Sequence, residues 1–263
     1  MKVSHESPLA LLEESRNYND YDYALVHLFD EIPEYYNFFV ESLNQGREVI
    51  LDNSIFELGE AYDADKFVEW ILKLKPTYYI IPDVLNNSEG TINNLKSFVE
   101  KYPSLPGKRI GVVQGKTYED ICRCYKEIEP LVDKVAISFD YDLYLNMVQD
   151  KDLNVWQRWC KGRQMLLKQL LEDGIINQSK PHHLLGIALP QELKEYNDYN
   201  WIESVDTSNP VVHGLHNVLY VNGSLQHKIS TKLVDLIYSK LNNEQLTNIL
   251  YNVKEFKRNI NRV

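Results

Sequence analysis

A chain of 263 residues with 44% hydrophobic and 25% charged side chains has length enough for a sizeable α/β core and is too apolar for a disordered segment. Its formal net charge of -10 argues against a broad, non-specific duplex binder, so any nucleic-acid contact needs a local basic patch. The three cysteines (Cys122, Cys124, Cys160) form no disulfide framework, no apolar run could span a bilayer, and the N-terminus lacks a signal-like apolar region, so a reducing cytoplasm is the expected setting.

In chain order, Ala24–Phe29 is a short apolar run, followed by a helical stretch from Glu34 to Asn44. Val49–Asp52 is strand-like. Asp63–Lys75 places Phe67, Val68, Ile71 and Leu72 on one helical face, with Asp63 as N-cap. Tyr78–Ile81 reads as a strand and Ser88–Tyr102 as a helix. Ile110–Val113 is the next strand, and Thr117–Leu131 the next helix, opened by a T-x-x-D sequence like a capping box. Val135–Phe139 is a strand and Val155–Glu172 a longer helix. Leu184–Ala188 is a strand, Pro190–Tyr196 a short helix with Pro at its start, and Ile202–Asp206 another strand.

This alternation is the rhythm of a parallel sheet. Seven strand candidates precede residue 210, which predicts a TIM-type (β/α)8 barrel rather than an open sheet, with Asn217–Val221 the best eighth strand. From about residue 230 the tail reads as two helices belonging to a single domain over 1–263. The longest insertion at the functional rim is Asp140–Asn154. Just beyond it Trp156, Arg158, Trp159, Lys161, Arg163 and Lys168 mix cations with aromatics. Such a set grips phosphates and stacks bases, or is simply the solvated basic face of an amphipathic helix.

Four apolar runs end in a polar residue and a turn: VILDNSIFE (Val49–Glu57), YYIIPDV (Tyr78–Val84), RIGVVQG (Arg109–Gly115) and WIESVDTSNP (Trp201–Pro210). In a parallel barrel those ends share one rim, where chemistry is placed, so Asp52, Asp83, Gln114 and Asp206 are offered to one cavity. Taken singly, each has a plainer reading. Asp52 or Asp83 could cap a helix, Gln114-Gly115 could be a simple turn, Asp206 an Asx turn, and Phe56 a core residue. His213, His216, Cys122 and Cys124 lack zinc-ligand spacing, and no metal or cofactor is expected. His182 and His183 precede a strand and read as surface residues.

The order of the motifs resembles the tRNA-guanine transglycosylase family, including phage and bacterial enzymes that insert 7-deazaguanines into DNA. Those proteins are TIM barrels that swap a guanine base without cutting the backbone. The similarity runs from about Val49 to Gly214. Asp52-Asn53-Ser54-Ile55-Phe56-Glu57 resembles the family's D-S-G-G-F-Q, with Asn53, Ser54 and Ile55 departing from its small residues and Glu57 from its Gln. Asp83 in IIPDV matches its guanine-recognising Asp, and Val113-Gln114-Gly115 its V-Q-G. Ser138-Phe139 stands where the family's G-G-L meets the base through its backbone. Leu184 to Leu193, with Gly186, is similar to L-M-G-V-G-T-P-E-D-L, and Val205-Asp206 to Pro210 is similar to the segment that carries the nucleophile.

The resemblance implies that Asp206 attacks C1′, that Asp52 is the general acid/base and that Phe56 stacks on the base. Asp83 would accept from N1–H and the exocyclic amine of a guanine-like ring, and Gln114 would donate to O6. The implied partners are a purine or 7-deazapurine base and a nucleic acid. DNA is favoured over tRNA because no cysteine-rich zinc subdomain follows Cys160, and Val211-Val212-His213-Gly214 replaces an arginine-bearing segment. Two other readings stand beside it: an N-ribosyl hydrolase or transferase acting on a small nucleoside or nucleotide, and a non-catalytic binder that sequesters a nucleotide or base.

Overall fold

Short runs of Val, Ile, Leu and Tyr that are apolar on both faces have no solvated side, so they persist only where helices cover a parallel sheet from outside and side chains fill it from within. The computed structural model, which describes residues 1–139 and 141–260, has eight parallel strands, six of them built on such runs. They are β1 (Lys2–His5), β2 (Asp22–Leu25), β3 (Val49–Asp52), β4 (Tyr78–Ile80), β5 (Lys108–Val113), β6 (Lys134–Ile137), β7 (His182–Leu184) and β8 (Ile202–Thr207). All ladders are parallel and the order is β1-β8-β7-β6-β5-β4-β3-β2, a nearly closed (β/α)8 barrel of the TIM type. At the seam between β1 and β2, Asp20 N–H donates to the Val3 carbonyl (2.9 Å), Val3 N–H to Asp20 Oδ2 (2.9 Å) and Tyr21 Oη to the Val205 carbonyl (2.7 Å).

The principal outer helices are α1 (Pro33–Asn44), α2 (Ala64–Leu74), α3 (Ser88–Lys101), α4 (Tyr118–Ile128), α5 (Asp142–Met147), α6 (Val155–Glu172), α7 (Asn209–Leu215) and α8 (Asn243–Lys257). Two of the starts follow the predicted caps, at Asp63 and Thr117, and a third has a cap the sequence reading did not name. Asp63 accepts from the amides of Asp65 and Lys66, Thr117 from that of Asp120, and Asn154 with Gln157 forms a full capping box. On α2 the buried stripe is Phe67, Val68, Ile71 and Leu74; Leu72 is 51% exposed. The i, i+4, i+7 spacing from Phe67 selects Leu74 and turns Leu72 outward.

Several boundaries differ from the sequence reading. The eighth strand is Lys2–His5, not Asn217–Val221, which contributes only an isolated bridge between Val221 and Ser224. KVSH carries too few apolar residues to announce itself, and its register with Ser204–Thr207 makes it a strand. The run Ala24–Phe29 divides into the end of β2 and one helical turn, Leu28–Glu31. Strand β7 is His182–Leu184 rather than Leu184–Ala188, because Gly186 adopts φ 56° and turns the chain out of the sheet.

The predicted rim insertion contains α5, and its first residue, Asp140, lies outside the described residues. Of the two tail helices one is α8, and the other is a single 3-10 turn, Leu233–Leu236; residues 261–263 lie outside the described residues. Helix α8 packs on α7 so closely that a Cβ at Gly214 would sit 2.4 Å from Ile249 Cγ1. No described helix is long and apolar enough to cross a membrane.

Candidate active site

The C-terminal ends of the strands open into one cavity of about 170 Å³. That is room enough for a purine-sized ring. Asp52 from β3, Asp83 after β4, Gln114 after β5 and Asp206 from β8 all line it. The four residues picked out as strand-end polar groups therefore converge.

Asp206 is 5% exposed and surrounded by donors. His183 Nε2 lies 2.9 Å from its Oδ1, and the Gly186 amide donates to both oxygens at 3.1 and 3.2 Å. Far from being a surface residue, His183 is fully buried in β7. Burial holds its imidazole below the ordinary pKa, against the pull of Asp206, so it is neutral near pH 7. Its hydrogen bonds set the tautomer. Nε2–H faces the carboxylate, and Nδ1 accepts from Ser204 Oγ at 2.9 Å. Lys134, itself fully buried and paired with Glu203 at 3.0 Å, donates to the same Ser204 hydroxyl at 3.5 Å.

The Gly186 peptide is held from behind. Arg163 Nη1 donates to the Leu185 carbonyl and Nη2 to the Gly186 carbonyl, both at 2.8 Å. The same guanidinium meets Glu192 at 2.6 and 3.0 Å, and Tyr196 Oη also donates to Glu192 at 2.6 Å. A side chain at Gly186 would be strained at its φ of +56° and would put Cβ 2.6 Å from Phe139 Cδ1.

Asp52 accepts from Tyr23 Oη (2.9 Å) and from the Ser54 amide (2.8 Å), the latter presented by Ser54 in the left-handed region at φ 59°. Burial, and then the charge of Glu57, push its carboxyl well above the usual range. Glu6 is a functional candidate that the sequence reading left out. Strand β1 pairs Ser4 with Asp206, and the Glu6 amide donates to the Thr207 carbonyl at 3.1 Å, so Glu6 enters the cavity one pleat further toward the rim than Asp206. Burial and the nearby Asp206 carboxylate hold the Glu6 carboxyl well above its ordinary pKa.

Burial also pushes Glu57 up to about 7, against the pull of its own backbone amide and Lys232. A carboxyl raised in the folded state binds more protons folded than unfolded, so its contribution is complete below the unfolded value of 4.5 and is lost as pH rises through about 7. Glu57→Gln is therefore expected to match the parent below that window. At about pH 8 it should be more stable by roughly 1–2 kcal/mol, with solvent screening at the open mouth allowed for. Urea titrations at the two pH values check this, and a variant no more stable than the parent at the higher one would contradict it.

Asp83 and Gln114 form a fixed pair. Gln114 Nε2 donates to Asp83 Oδ2 at 2.7 Å, and the Asn86 amide donates to Gln114 Oε1 at 3.0 Å, which sets the amide's orientation. Asn53 Nδ2 donates to Asp83 Oδ1 at 2.8 Å and to the Ile81 carbonyl at 3.2 Å. Asn53 had looked like a departure from a small-residue motif, yet it clamps the recognition carboxylate.

Phe56, 40% exposed, stands at the mouth with its ring 5.5 Å from that of Phe139, which in turn meets Trp159 edge-on at 5.9 Å. Ser138 lines the cavity, while its amide and carbonyl are hydrogen-bonded by Tyr141 Oη (3.1 Å) and Tyr144 Oη (2.8 Å). Gly115 is not among the lining residues; it lies against α4, where a Cβ would be 2.7 Å from that of Asp120. Of the mixed set on α6, only Trp156 and Trp159 line the cavity. Arg163 is buried in its ion pair, and Arg158 is spent on the carbonyls of Val148 and Leu145. The cavity's cations come instead from Lys228 and Lys232 in a loop that carried no sequence signal. Among the described residues no group of three or more His, Cys, Asp or Glu side chains is placed to hold a metal ion. Comparison with protein-family models and with curated proteins gives no match.

Proposed function

We propose that this chain is a base-exchange transglycosylase. It would replace guanine by guanine or a 7-deazaguanine in a nucleic acid, DNA in preference to tRNA, through a covalent link between Asp206 and C1′. One observation carries the reading: one cavity brings together two carboxyls in unlike surroundings. Asp206 meets the His183 imidazole and the Gly186 amide, and burial holds Asp52 toward its neutral form.

Retaining displacement at an anomeric carbon needs that division of labour. The Asp206 carboxylate forms a bond to C1′ as the C1′–N bond breaks. The departing base keeps the bonding pair and takes the Asp52 proton on a ring nitrogen. The incoming base then returns a proton to Asp52, attacks C1′ and releases Asp206. Burial and the neighbouring Asp206 hold Glu6 toward its neutral form, which keeps it from adding a charge beside the nucleophile. The Asp83–Gln114 pair reads the Watson–Crick side of the ring, and Phe56 and Phe139 border its entry. A base drawn from a polymer must be flipped out of its stack to reach such a cavity.

The direct test is incubation with labelled guanine and, separately, DNA, tRNA and free nucleotides. Incorporation into a polymer is the expected result. Label exchange confined to free nucleotides would support the small-molecule reading, and tight base binding without turnover the sequestering one. Asp83→Asn should weaken guanine discrimination by on the order of tenfold or more, since it replaces an acceptor with an amide that meets the amide donors of Asn53 and Gln114. Competition binding of guanine against adenine measures this, and unchanged selectivity would remove Asp83 from recognition.

A further inference from the structure

Among the described residues five carboxyl groups line the cavity, yet its two cationic side chains lie on one five-residue segment, Lys228-Ile229-Ser230-Thr231-Lys232, of which four residues face the cavity. The segment belongs to the mouth. Ser230 is exposed and Lys228, Thr231 and Lys232 are partly so, whereas Asp52, Asp83 and Asp206 are buried at the strand ends. Both ammonium groups are held in place. Lys232 Nζ donates to the carbonyls of Phe56 (2.9 Å) and Glu57 (3.2 Å), which leaves one of its three N–H donors. Lys228 Nζ stands 4.8 Å from the Phe139 ring centroid, 5.8 Å from Trp156 and 5.9 Å from Phe56. Between the two lysines, no hydrogen bond engages the Ser230 or Thr231 hydroxyl among the described residues.

We infer that Lys228, Ser230, Thr231 and Lys232 form a phosphate subsite, which takes the phosphate ester of a nucleotide whose base enters the cavity. The chemistry matches: two ammonium charges and two hydroxyl donors suit a phosphate's acceptor oxygens. The location matches as well. With a base among the buried carboxyls at the strand ends, its sugar and phosphate trail toward the mouth, beside the aromatic rings that border the base's path. A cationic mouth over an acidic floor also orients an entering nucleotide, because the phosphate is repelled from the floor and drawn to the rim. The inference rests on the base-exchange reading only for what fills the cavity. Its rival is that the lysines merely balance Glu6 and Glu57, toward which their charges act.

Calorimetric titration of the whole protein at low salt separates these. The ligands are guanosine, guanosine 5′-monophosphate, a single-stranded DNA trinucleotide with a central guanine, and the same trinucleotide with an abasic centre. The phosphate-bearing guanine ligands should bind on the order of tenfold tighter than guanosine, and the advantage should vanish in Lys228→Ala and Lys232→Ala and fade with added salt. Retained guanosine binding shows that the variants fold, and they are compared by their ratio of monophosphate to guanosine affinity, because Lys232→Ala also loses the contacts to the Phe56 and Glu57 carbonyls. Equal affinity for guanosine and its monophosphate in the parent would overturn the phosphate subsite and leave the base cavity standing. So would lysine variants that weaken guanosine as much as the nucleotide, since that is the signature of charge balancing. If guanosine fails to bind while the abasic trinucleotide binds in a Lys228-dependent way, the base-exchange reading falls and the phosphate subsite survives. A preference for the trinucleotide over the monophosphate identifies a polymer as the phosphate's source, and the reverse a free nucleotide.

Discussion

Asp206→Asn is expected to reduce base exchange by on the order of 1,000-fold or more while base affinity changes little. An amide oxygen is too weak a nucleophile to form the bond to C1′. The groups proposed to read the base do not include Asp206: Asp83 is held by Asn53 and Gln114, and Phe56 stands at the mouth against Phe139. The substitution also sets an NH2 group among donors, because His183 Nε2–H and the Gly186 amide both point at this carboxylate. Guanine binding should therefore be measured alongside exchange. Intact-mass analysis of quenched reactions without incoming base adds a second reading. The parent should show protein plus substrate as one covalent species, and the variant should not. A variant with parental exchange rates would remove Asp206 as nucleophile.

The parts of this site legible in the sequence were those where one residue's environment is set by its immediate neighbours. Asp52 and Asp206 follow or end apolar strands buried on both faces, and Gln114 sits between Val113 and Gly115; a polar residue at such a boundary has only the rim to go to. What was not legible depends on partners distant in the chain. Glu6 lies beyond a strand whose identity comes from its ladder with Ser204–Thr207, about 200 residues away. His183 looked external because the strand was read as starting after it, at Leu184, yet burial between β6 and β8 makes it the imidazole that holds Asp206. Asn53 broke a motif of small residues, and only the position of Asp83 shows what its amide is for. Lys228 and Lys232 lie in a loop without periodicity, placed at the mouth by the Lys232 contacts to Phe56 and Glu57. The α6 arginines had the opposite fault: their cationic and aromatic neighbours suggested a ligand, and Arg163 is instead part of the support beneath the site.

That support leads to the second large effect. Arg163 and Glu192 are 0% and 1% exposed, so removing either partner leaves a charge in the interior without its counter-ion. Arg163→Met or Glu192→Gln is expected to cost about 3–5 kcal/mol, read from urea midpoints at constant slope. The two differ in what else they lose. Arg163→Met also leaves the Leu185 and Gly186 carbonyls without their donors, so the peptide that presents the Gly186 amide to Asp206 is freed. Glu192→Gln keeps those donors and can still accept from Tyr196. At a temperature where both remain folded, Arg163→Met should depress exchange more than Glu192→Gln. The double variant Arg163→Met/Glu192→Leu should recover much of the lost stability, because a buried pair replaced on both sides leaves no orphan charge. It should not recover exchange, because the Gly186 peptide remains unheld. A single variant within about 1 kcal/mol of the parent would contradict the buried-charge argument. A double variant with parental exchange would show that Arg163 steadies the fold without positioning Asp206.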